Sequence, residues 1–189
     1  MRHRSRQTRG QVFVEFAIVL PVLVVLLLIM LELGSVFLQQ QAISTVAREG
    51  ANLISRQTTL ADAELALSSM ASGLPFGSDA TVILSVVQLG AGGRNGGEPI
   101  IAHRRMFGAV PESSTFGNPP AGAYGGPPAY AARDAANDVS IRVTGNLRTS
   151  LTGDDVLFLT EVYVRHQPLT PLGGFGLPVP STLSAVAYF

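Results

Sequence analysis

The sequence predicts an α+β fold in which a long N-terminal transmembrane helix packs on a small, mostly antiparallel β-sheet. An apolar stretch long enough to cross a membrane follows the basic start of the chain. Apolar residues then continue at helical spacing to about residue 57. Beyond residue 75 their spacing changes to two, which is the repeat of a β-strand with one buried face.

The composition restricts the functions that the chain can have. Its 189 residues include 13 basic and 13 acidic residues, so the formal net charge is zero and nucleic acid is not an expected partner. Cysteine is absent, which excludes disulfides and cysteine-based zinc sites. His3, His103 and His166 are scattered and lack the spacing of a metal site. We therefore expect no cofactor, no metal and no enzymatic activity.

Residues 11–36 are predicted to form the transmembrane half of the long helix. A bilayer core of about 30 Å needs about 20 helical residues, and residues 16–31 carry no charge at all. Residues 1–10 form a basic leader, which the positive-inside rule keeps in the cytoplasm. We expect a single-pass protein of the bacterial inner membrane, in contact with lipid, whose remaining residues lie in the periplasm or outside the cell.

A cleavable secretory signal is the first alternative for this segment. Its apolar region would span about 7–15 residues and end in a small-x-small site. The apolar run is longer here and continues through residues 32–38 without such a site. A plain, uncleaved membrane anchor remains open.

Two residues inside the span are unusual for a membrane helix. Glu15 carries a charge that costs about 2.5–3.5 kcal/mol at a helix centre, so we expect the charge to have a use. Pro21 removes a backbone N–H and leaves the carbonyl of Ala17 without its usual donor. Pro21 is either a harmless kink or a weak point at which the helix bends.

The helical pattern continues into residues 37–73, which are predicted to form a periplasmic stalk and a second, short helix. Residues 11–57 as one helix would be about 70 Å long at 1.5 Å per residue. Thr59 and Asp62 have the spacing of a capping box, so the second helix should begin there and stop at Gly73.

Residues 74–189 are predicted to form a β-rich head. The strands are expected at 81–89, 99–103, 139–144, 156–165 and 183–189, with 156–165 central and 183–189 closing the sheet. The glycine-rich residues 90–97 lead into a strand rather than a helix and lack the Gly-Lys-Ser/Thr ending of a phosphate loop, so they are a connector.

A segment rich in proline and glycine, residues 107–137, has two interpretations. A loop of this length is usually either functional or disordered. It is a mobile surface excursion, or it is a partner-binding arm whose Phe116, Tyr124 and Tyr130 insert into another subunit. The sequence does not decide between them.

The two histidines of the head are predicted to be structural. His103, beside two arginines, is interpreted as a solvated strand end rather than an anion site. His166 is interpreted as a surface or sheet-edge residue, because strand spacing puts it on the opposite face from Glu161 and no nucleophile lies nearby.

The N-terminal motifs resemble one known family. A basic leader ends in RGQVFVEF (residues 9–16), and AIVLP follows directly. Further segments, QQA at 40–42, AREGA at 47–51 and PLTPL at 168–172, complete the likeness. In combination these motifs are similar to the TadE-like pseudopilins, or minor pilins, of the tight-adherence (Flp) pilus system.

The resemblance implies a pilin-like fold and a structural role in pilus assembly. It implies cleavage after Gly10 by a prepilin peptidase, so that the mature chain begins at Gln11. Glu15, followed by the aromatic Phe16, would then pair with the N-terminal amine of a neighbouring subunit and set the register between helices. The implied partners are the peptidase, other pilin subunits and the assembly machinery. Related pilins begin with an aromatic residue, so methylation of Gln11 stays open.

Three other functions are compatible with parts of the sequence. The chain could be an uncleaved, single-pass anchor for a periplasmic binding module, and only processing separates this from a pilin. It could be a type II secretion pseudopilin, since physical arguments alone do not distinguish such a protein from a pseudopilin of the tight-adherence pilus. A membrane-tethered hydrolase is disfavoured because no catalytic constellation is present.

Overall fold

The computed structural model describes residues 5–70, 79–144, 151–171 and 180–189, with side chains from Gly10 onward. Its helices and strands are, in chain order, α1 (Ser5–Ser55), α2 (Leu60–Met70), β1 (Ala80–Leu89), β2 (Pro99–Gly108), β3 (Val156–Arg165) and β4 (Thr182–Tyr188). The chain divides into two compact units. The anchor unit comprises residues 1–38 and 167–180, and the head unit comprises residues 39–166 and 181–189.

The head unit is built on one antiparallel sheet of four strands in the order β2-β1-β3-β4. The β1–β2 pair begins with Thr81 opposite Gly108, ends with Leu89 opposite Pro99, and contains a register shift between Val86 and Val87. β3 lies inside the sheet between β1 and β4, as predicted for the most apolar strand. β4 closes the order at one end, also as predicted.

The C-terminal half of α1 packs on this sheet. Its buried side chains are Ile43, Ala47, Ala51 and Ile54, which follow one another at helical spacing on a single face. Gly50 lies on the same face and is also buried. The predicted α+β class, with a helix packed on a small antiparallel sheet, is therefore confirmed.

The turn between the two helices follows local rules. α1 ends at Ser55, and Gln57 adopts a φ of 64°, the left-handed conformation that often follows a helix end. The Thr59 hydroxyl accepts a hydrogen bond from the Asp62 backbone N–H at 3.1 Å and donates to its carboxylate at 2.6 Å. This is the capping interaction that the sequence predicted at the start of α2. The predicted stop at Gly73 lies outside the described residues.

The predicted strand at 139–144 is wrong. Residues Val139–Ile141 form a 3-10 turn, because the Asp138 carboxylate accepts a hydrogen bond from the Ser140 N–H at 2.9 Å and favours a turn over an extended chain. Only an isolated bridge between Ile100 and Arg142 joins this segment to the sheet. The apolar alternation instead reflects one deeply buried side chain, that of Ile141.

The proline- and glycine-rich segment runs along the outer edge of β2, which extends to Gly108 rather than ending at His103. The Arg104 N–H donates to the Tyr130 carbonyl at 3.0 Å, and the Ala132 N–H donates to the Ala102 carbonyl at 2.7 Å. Because an uncovered strand edge invites pairing with other chains, this segment protects the sheet on that side.

Candidate functional site

The residues of the predicted processing and register site lie together near the start of α1. Gly10, Gln11, Glu15 and Phe16 belong to one continuous helix and are all exposed. The Gln11 side-chain amide donates to a Glu15 carboxylate oxygen at 2.9 Å. No heavy atom outside the helix lies within 4 Å of the position that a Cβ would take on Gly10. The segment is therefore an accessible helix surface with one carboxylate.

The helix around this segment is apolar on all sides. From Val12 to Leu38 the exposed large hydrophobic residues are Val12, Phe13, Val14, Phe16, Ile18, Val19, Leu20, Val22, Leu23, Val24, Val25, Leu26, Leu27, Met30, Leu31, Leu33, Phe37 and Leu38. By length and composition Gly10–Ser55 could cross a membrane, since its most apolar window has a mean hydropathy of 3.1 and none of that window is buried. Pro21 lies inside this helix and does not end it. A surface of this kind requires lipid or other helices around it.

A second carboxylate of α1, Glu32, lies buried within the anchor unit. Its side chain is 4% exposed. One of its oxygens accepts from the Thr170 N–H at 2.9 Å and the Thr170 hydroxyl at 2.7 Å, and the other accepts from the Leu169 N–H at 3.4 Å. Leu169 and Thr170 and the N-terminal helix, which are far apart in the sequence, therefore meet at this residue.

His166 is buried, so its interpretation as a surface or sheet-edge residue is wrong. Only 4% of the residue is exposed, and its Nδ1 lies 2.9 Å from the Gln39 side-chain oxygen in α1. The helix that packs on the sheet covers this histidine, and the spacing along β3 alone cannot reveal that contact. His103 lies within β2 rather than at a strand end, with its Nδ1 3.0 Å from the Ala129 carbonyl.

Glu161 is a buried, hydrogen-bonded carboxylate that the sequence analysis did not single out as a site residue. It is 1% exposed in the middle of β3. Its carboxylate accepts hydrogen bonds from the Ser114 hydroxyl at 2.5 Å, the Thr115 N–H at 2.9 Å and the Tyr163 hydroxyl at 2.9 Å. Three donors satisfy the buried charge and tie residues 114–115 to the sheet. The signal in the sequence that could have indicated its burial is the position of a carboxylate within a largely apolar strand.

Three ionisable side chains, Arg104 and Tyr163 close to this carboxylate and Tyr124 close to Arg104, have shifted pKa values. Burial lowers the pKa of Arg104, although Tyr124 and Glu161 oppose the change. Burial raises the pKa of Tyr124 to about 12, and the Arg104 charge opposes this rise. Burial also raises the pKa of Tyr163. Burial is the largest cause of all three shifts, which indicates that these side chains belong to the packed interior of the head.

The three aromatic residues that the sequence offered as partner anchors pack within the head unit. Tyr124 is 8% exposed and belongs to a hydrophobic cluster with Ile101 and Ile141, against which Phe116 also packs. The Arg105 guanidinium lies 5.0 Å from the centre of the Tyr130 ring. Contact with another subunit through these residues stays a prediction. It would require the buried Tyr124 to leave its position, whereas Phe116 and Tyr130 are partly exposed where they stand.

Arg105 also joins α2 to the sheet. Its guanidinium forms a two-bond ion pair with the Glu64 carboxylate, at 2.5 and 2.7 Å. Pairing with Glu64 raises the pKa of Arg105. Glu64 therefore links the second helix to β2.

One open cavity of about 330 Å³ lies between the outer end of β2 and the proline- and glycine-rich segment. Its lining mixes charged, aromatic and apolar side chains, among them Arg104, Glu112 and Tyr130. Within the part of the chain that the structure describes, no three His, Asp or Glu residues come close enough to hold a metal ion. The cavity therefore shows no arrangement that points to a particular reaction.

These features define a class of protein: one whose described residues contain one N-terminal apolar helix long enough to cross a membrane, together with an α+β head. Comparison with family models then finds a likeness over the N-terminal helix. The model described as TadE-like protein matches residues 10–52, which confirms the resemblance over the N-terminal helix. The matched family is that of structural minor pilins associated with tight-adherence pili, and the likeness is limited to these residues. No curated protein and no solved structure matches the chain significantly.

Proposed function

We propose that this protein is a structural minor pilin, or pseudopilin, of a tight-adherence (Flp-type) pilus, processed after Gly10 by a prepilin peptidase. The observation that carries the proposal is the exposed Glu15 carboxylate on an otherwise apolar helix, five residues beyond Gly10. The protein would be inserted once in the inner membrane, with the leader, residues 1–10, in the cytoplasm and the head unit in the periplasm.

Glu15 would act through the new N-terminus of a neighbouring subunit. A carboxylate and an ammonium are each costly in an apolar environment, and they become tolerable as a hydrogen-bonded pair. Gln11 occupies one Glu15 oxygen, and the other accepts no hydrogen bond within the described part of the chain. That oxygen is available to an incoming ammonium group, and the pair would set the register between two helices. Phe16 would pack beside it.

Gly10 has properties that suit a cleavage site. Glycine in a helix is about 1 kcal/mol less favourable than alanine, so the helix opens more easily at this position. The space around Gly10 is also free of other side chains among the described residues. A peptidase in the membrane could therefore reach an extended form of this segment.

The mass of the N-terminal peptide, measured on protein purified from its native membrane, tests the proposal. A chain that begins at Gln11 is the expected result. A chain that begins at Met1 or Arg2, in cells with an active peptidase, would contradict processing. The uncleaved membrane-anchored binding module would then be the better account.

Two variants separate processing from assembly. We expect Gly10→Leu to retain the leader, and a product of mature mass from this variant would refute the cleavage site. We expect Glu15→Val to be inserted and processed normally but to enter pili poorly, whereas the control Val19→Ala in the same helix should assemble. Normal piliation by Glu15→Val would show that Glu15 is not a register device.

A type II secretion pseudopilin is the alternative for the same helix geometry. The match to the TadE-like family favours the tight-adherence system. Loss of pili, with secretion unchanged, on deletion of the protein would agree with that preference.

A further inference from the structure

The loop of residues 168–171, here called the PLTP loop, is attached to α1 through Glu32. Both elements belong to the anchor unit. Thr170 contributes its backbone N–H at 2.9 Å and its hydroxyl at 2.7 Å, and Leu169 contributes its N–H at 3.4 Å. The attachment lies one residue beyond the uncharged stretch 16–31, at the outer end of the apolar span.

The PLTP loop has no free backbone donor. Pro168 and Pro171 have no N–H group, and the N–H groups of Leu169 and Thr170 both donate to Glu32. In the apolar part of a bilayer, backbone N–H groups must donate to acceptors within the protein, because no water is present to accept their hydrogen bonds. This non-helical segment meets that requirement for its donors.

The outward surface of the loop is apolar. Leu169 is 71% exposed, and both prolines are exposed, whereas Thr170 is turned inward and is 9% exposed. The loop contains no charged residue, and the single carboxylate that it contacts is surrounded by three donors. The helix on either side of Glu32 exposes Leu31 and Leu33, so the loop continues an apolar surface.

We propose that the PLTP loop is a second membrane-contacting element, which inserts Leu169 into the outer interface of the bilayer. The partner is a lipid surface, and the Glu32–Thr170 hydrogen bonds set the depth of the loop. Moving an exposed leucine side chain from water into lipid lowers the free energy of the system, so the insertion is favourable. The inference rests on the membrane-anchor part of the proposed function and does not depend on processing or on pilus assembly.

Site-directed spin labelling of the full chain tests this proposal. The native chain has no cysteine, so single labels can be placed without background. Labels at Leu169→Cys, Val22→Cys and Leu65→Cys are compared in phosphatidylcholine–phosphatidylglycerol vesicles. Oxygen, which concentrates in lipid, and a polar nickel chelate, which stays in water, report the depth of each label. Val22 lies mid-span, and Leu65 is a 70% exposed leucine in the head unit.

We expect the ratio of oxygen to nickel accessibility at Leu169 to be several-fold higher than at Leu65 and lower than at Val22. A ratio at Leu169 equal to that at Leu65, with Val22 in lipid, would overturn the loop inference and leave the anchor intact. A label at Val22 in water would refute the anchor itself, and the loop inference with it.

Variants of the attachment test what sets the depth. In the Leu169→Cys background, Glu32→Leu removes the acceptor and Thr170→Val removes only the hydroxyl donor. We expect both to move the label toward water, with the larger change for Glu32→Leu because it also frees two N–H groups. An unchanged depth in Glu32→Leu would overturn the role assigned to the Glu32–Thr170 contact.

Discussion

At the residue scale, two buried carboxylates show how this chain accommodates charge. Glu32 and Glu161 are 4% and 1% exposed, and each accepts hydrogen bonds from three donors. A buried carboxylate without such donors would be strongly unfavourable. Both contacts join segments that are far apart along the chain. The hydrogen bonds therefore stabilise each buried carboxylate and also fix the position of a loop.

We expect Glu161→Gln to lower the free energy of unfolding of the head by about 2 kcal/mol, because the new amide group presents a donor where three donors already converge. Urea unfolding of the full chain in detergent, followed by near-ultraviolet circular dichroism of the tyrosines, measures the change. The exposed Asp154→Asn is the matched control and should have little effect. Equal effects of the two substitutions would contradict the importance of the Glu161 network.

The raised pKa of Tyr124 predicts a loss of stability in alkali. The pKa of Tyr124 is about 12 in the folded protein, against an ordinary value of 10.0. The neutral phenol therefore contributes stability that is fully present below pH 10.0 and is lost as the pH rises toward about 12. Burial also raises the pKa of Tyr163, so the size of the late tyrosinate absorbance step is what tests the assignment. We expect Tyr124→Phe to reduce this step by the absorbance of one tyrosine and the exposed Tyr188→Phe to leave it unchanged. A late step of undiminished size in Tyr124→Phe would contradict the assignment.

At the element scale, the fold depends on how closely α1 approaches β3. A Cβ added at Gly50 would lie 2.7 Å from Thr160 Cγ2, 2.8 Å from its hydroxyl and 3.2 Å from a Leu67 methyl group. The AREGA motif therefore places a glycine where the helix backbone meets the sheet. Glycine is about 1 kcal/mol less favourable than alanine in a helix. The close packing of α1 on β3, which a larger residue at this position would prevent, offsets that cost.

Gly50→Ala tests this close approach. Overpacking lowers the free energy of unfolding by about 1–3 kcal/mol, and the better helix propensity of alanine raises it by about 1 kcal/mol. We therefore expect a net decrease in the free energy of unfolding of about 1 kcal/mol. The β-branched Thr160 is stiff and cannot easily turn away. In a Thr160→Ala background the same substitution should be neutral or stabilising. A double-mutant cycle of unfolding free energies measures the coupling, and no coupling would contradict the contact.

At the scale of the whole molecule, the two units have different surfaces. All the buried hydrophobic residues found among the described ranges belong to the head unit. The anchor unit instead exposes nearly all its large apolar side chains between Val12 and Leu38. The head therefore has a core of its own, whereas the apolar side chains of the anchor unit are left exposed by the described part of the chain.

A chain that begins at Gln39 should consequently be soluble in water and fold on its own. We expect a monomer by size-exclusion chromatography and a cooperative urea transition, because the truncation removes the exposed apolar helix and none of the described apolar core. The transition should match that of the head in the full chain in detergent. Aggregation or a broad, non-cooperative transition would show that the head needs the anchor for its fold.

The sequence by itself determined the features that depend on local chemistry. The period of apolar residues located α1 and the strands that form the sheet, and the Thr59–Asp62 cap located the start of α2. The N-terminal motifs pointed to the family whose model matches residues 10–52. Each of these signals lies within one short stretch of chain, where backbone geometry and side-chain spacing act directly.

Only the tertiary structure decided which polar residues are buried and what they contact. Glu161 meets Ser114 across 47 residues, and Glu32 meets Thr170 across 138. The covered position of His166 and the turn at 139–141 likewise depend on neighbours from other elements. The period of a strand states which face a side chain takes, but whether that face is covered, and by which donors, is set by segments that only folding brings together.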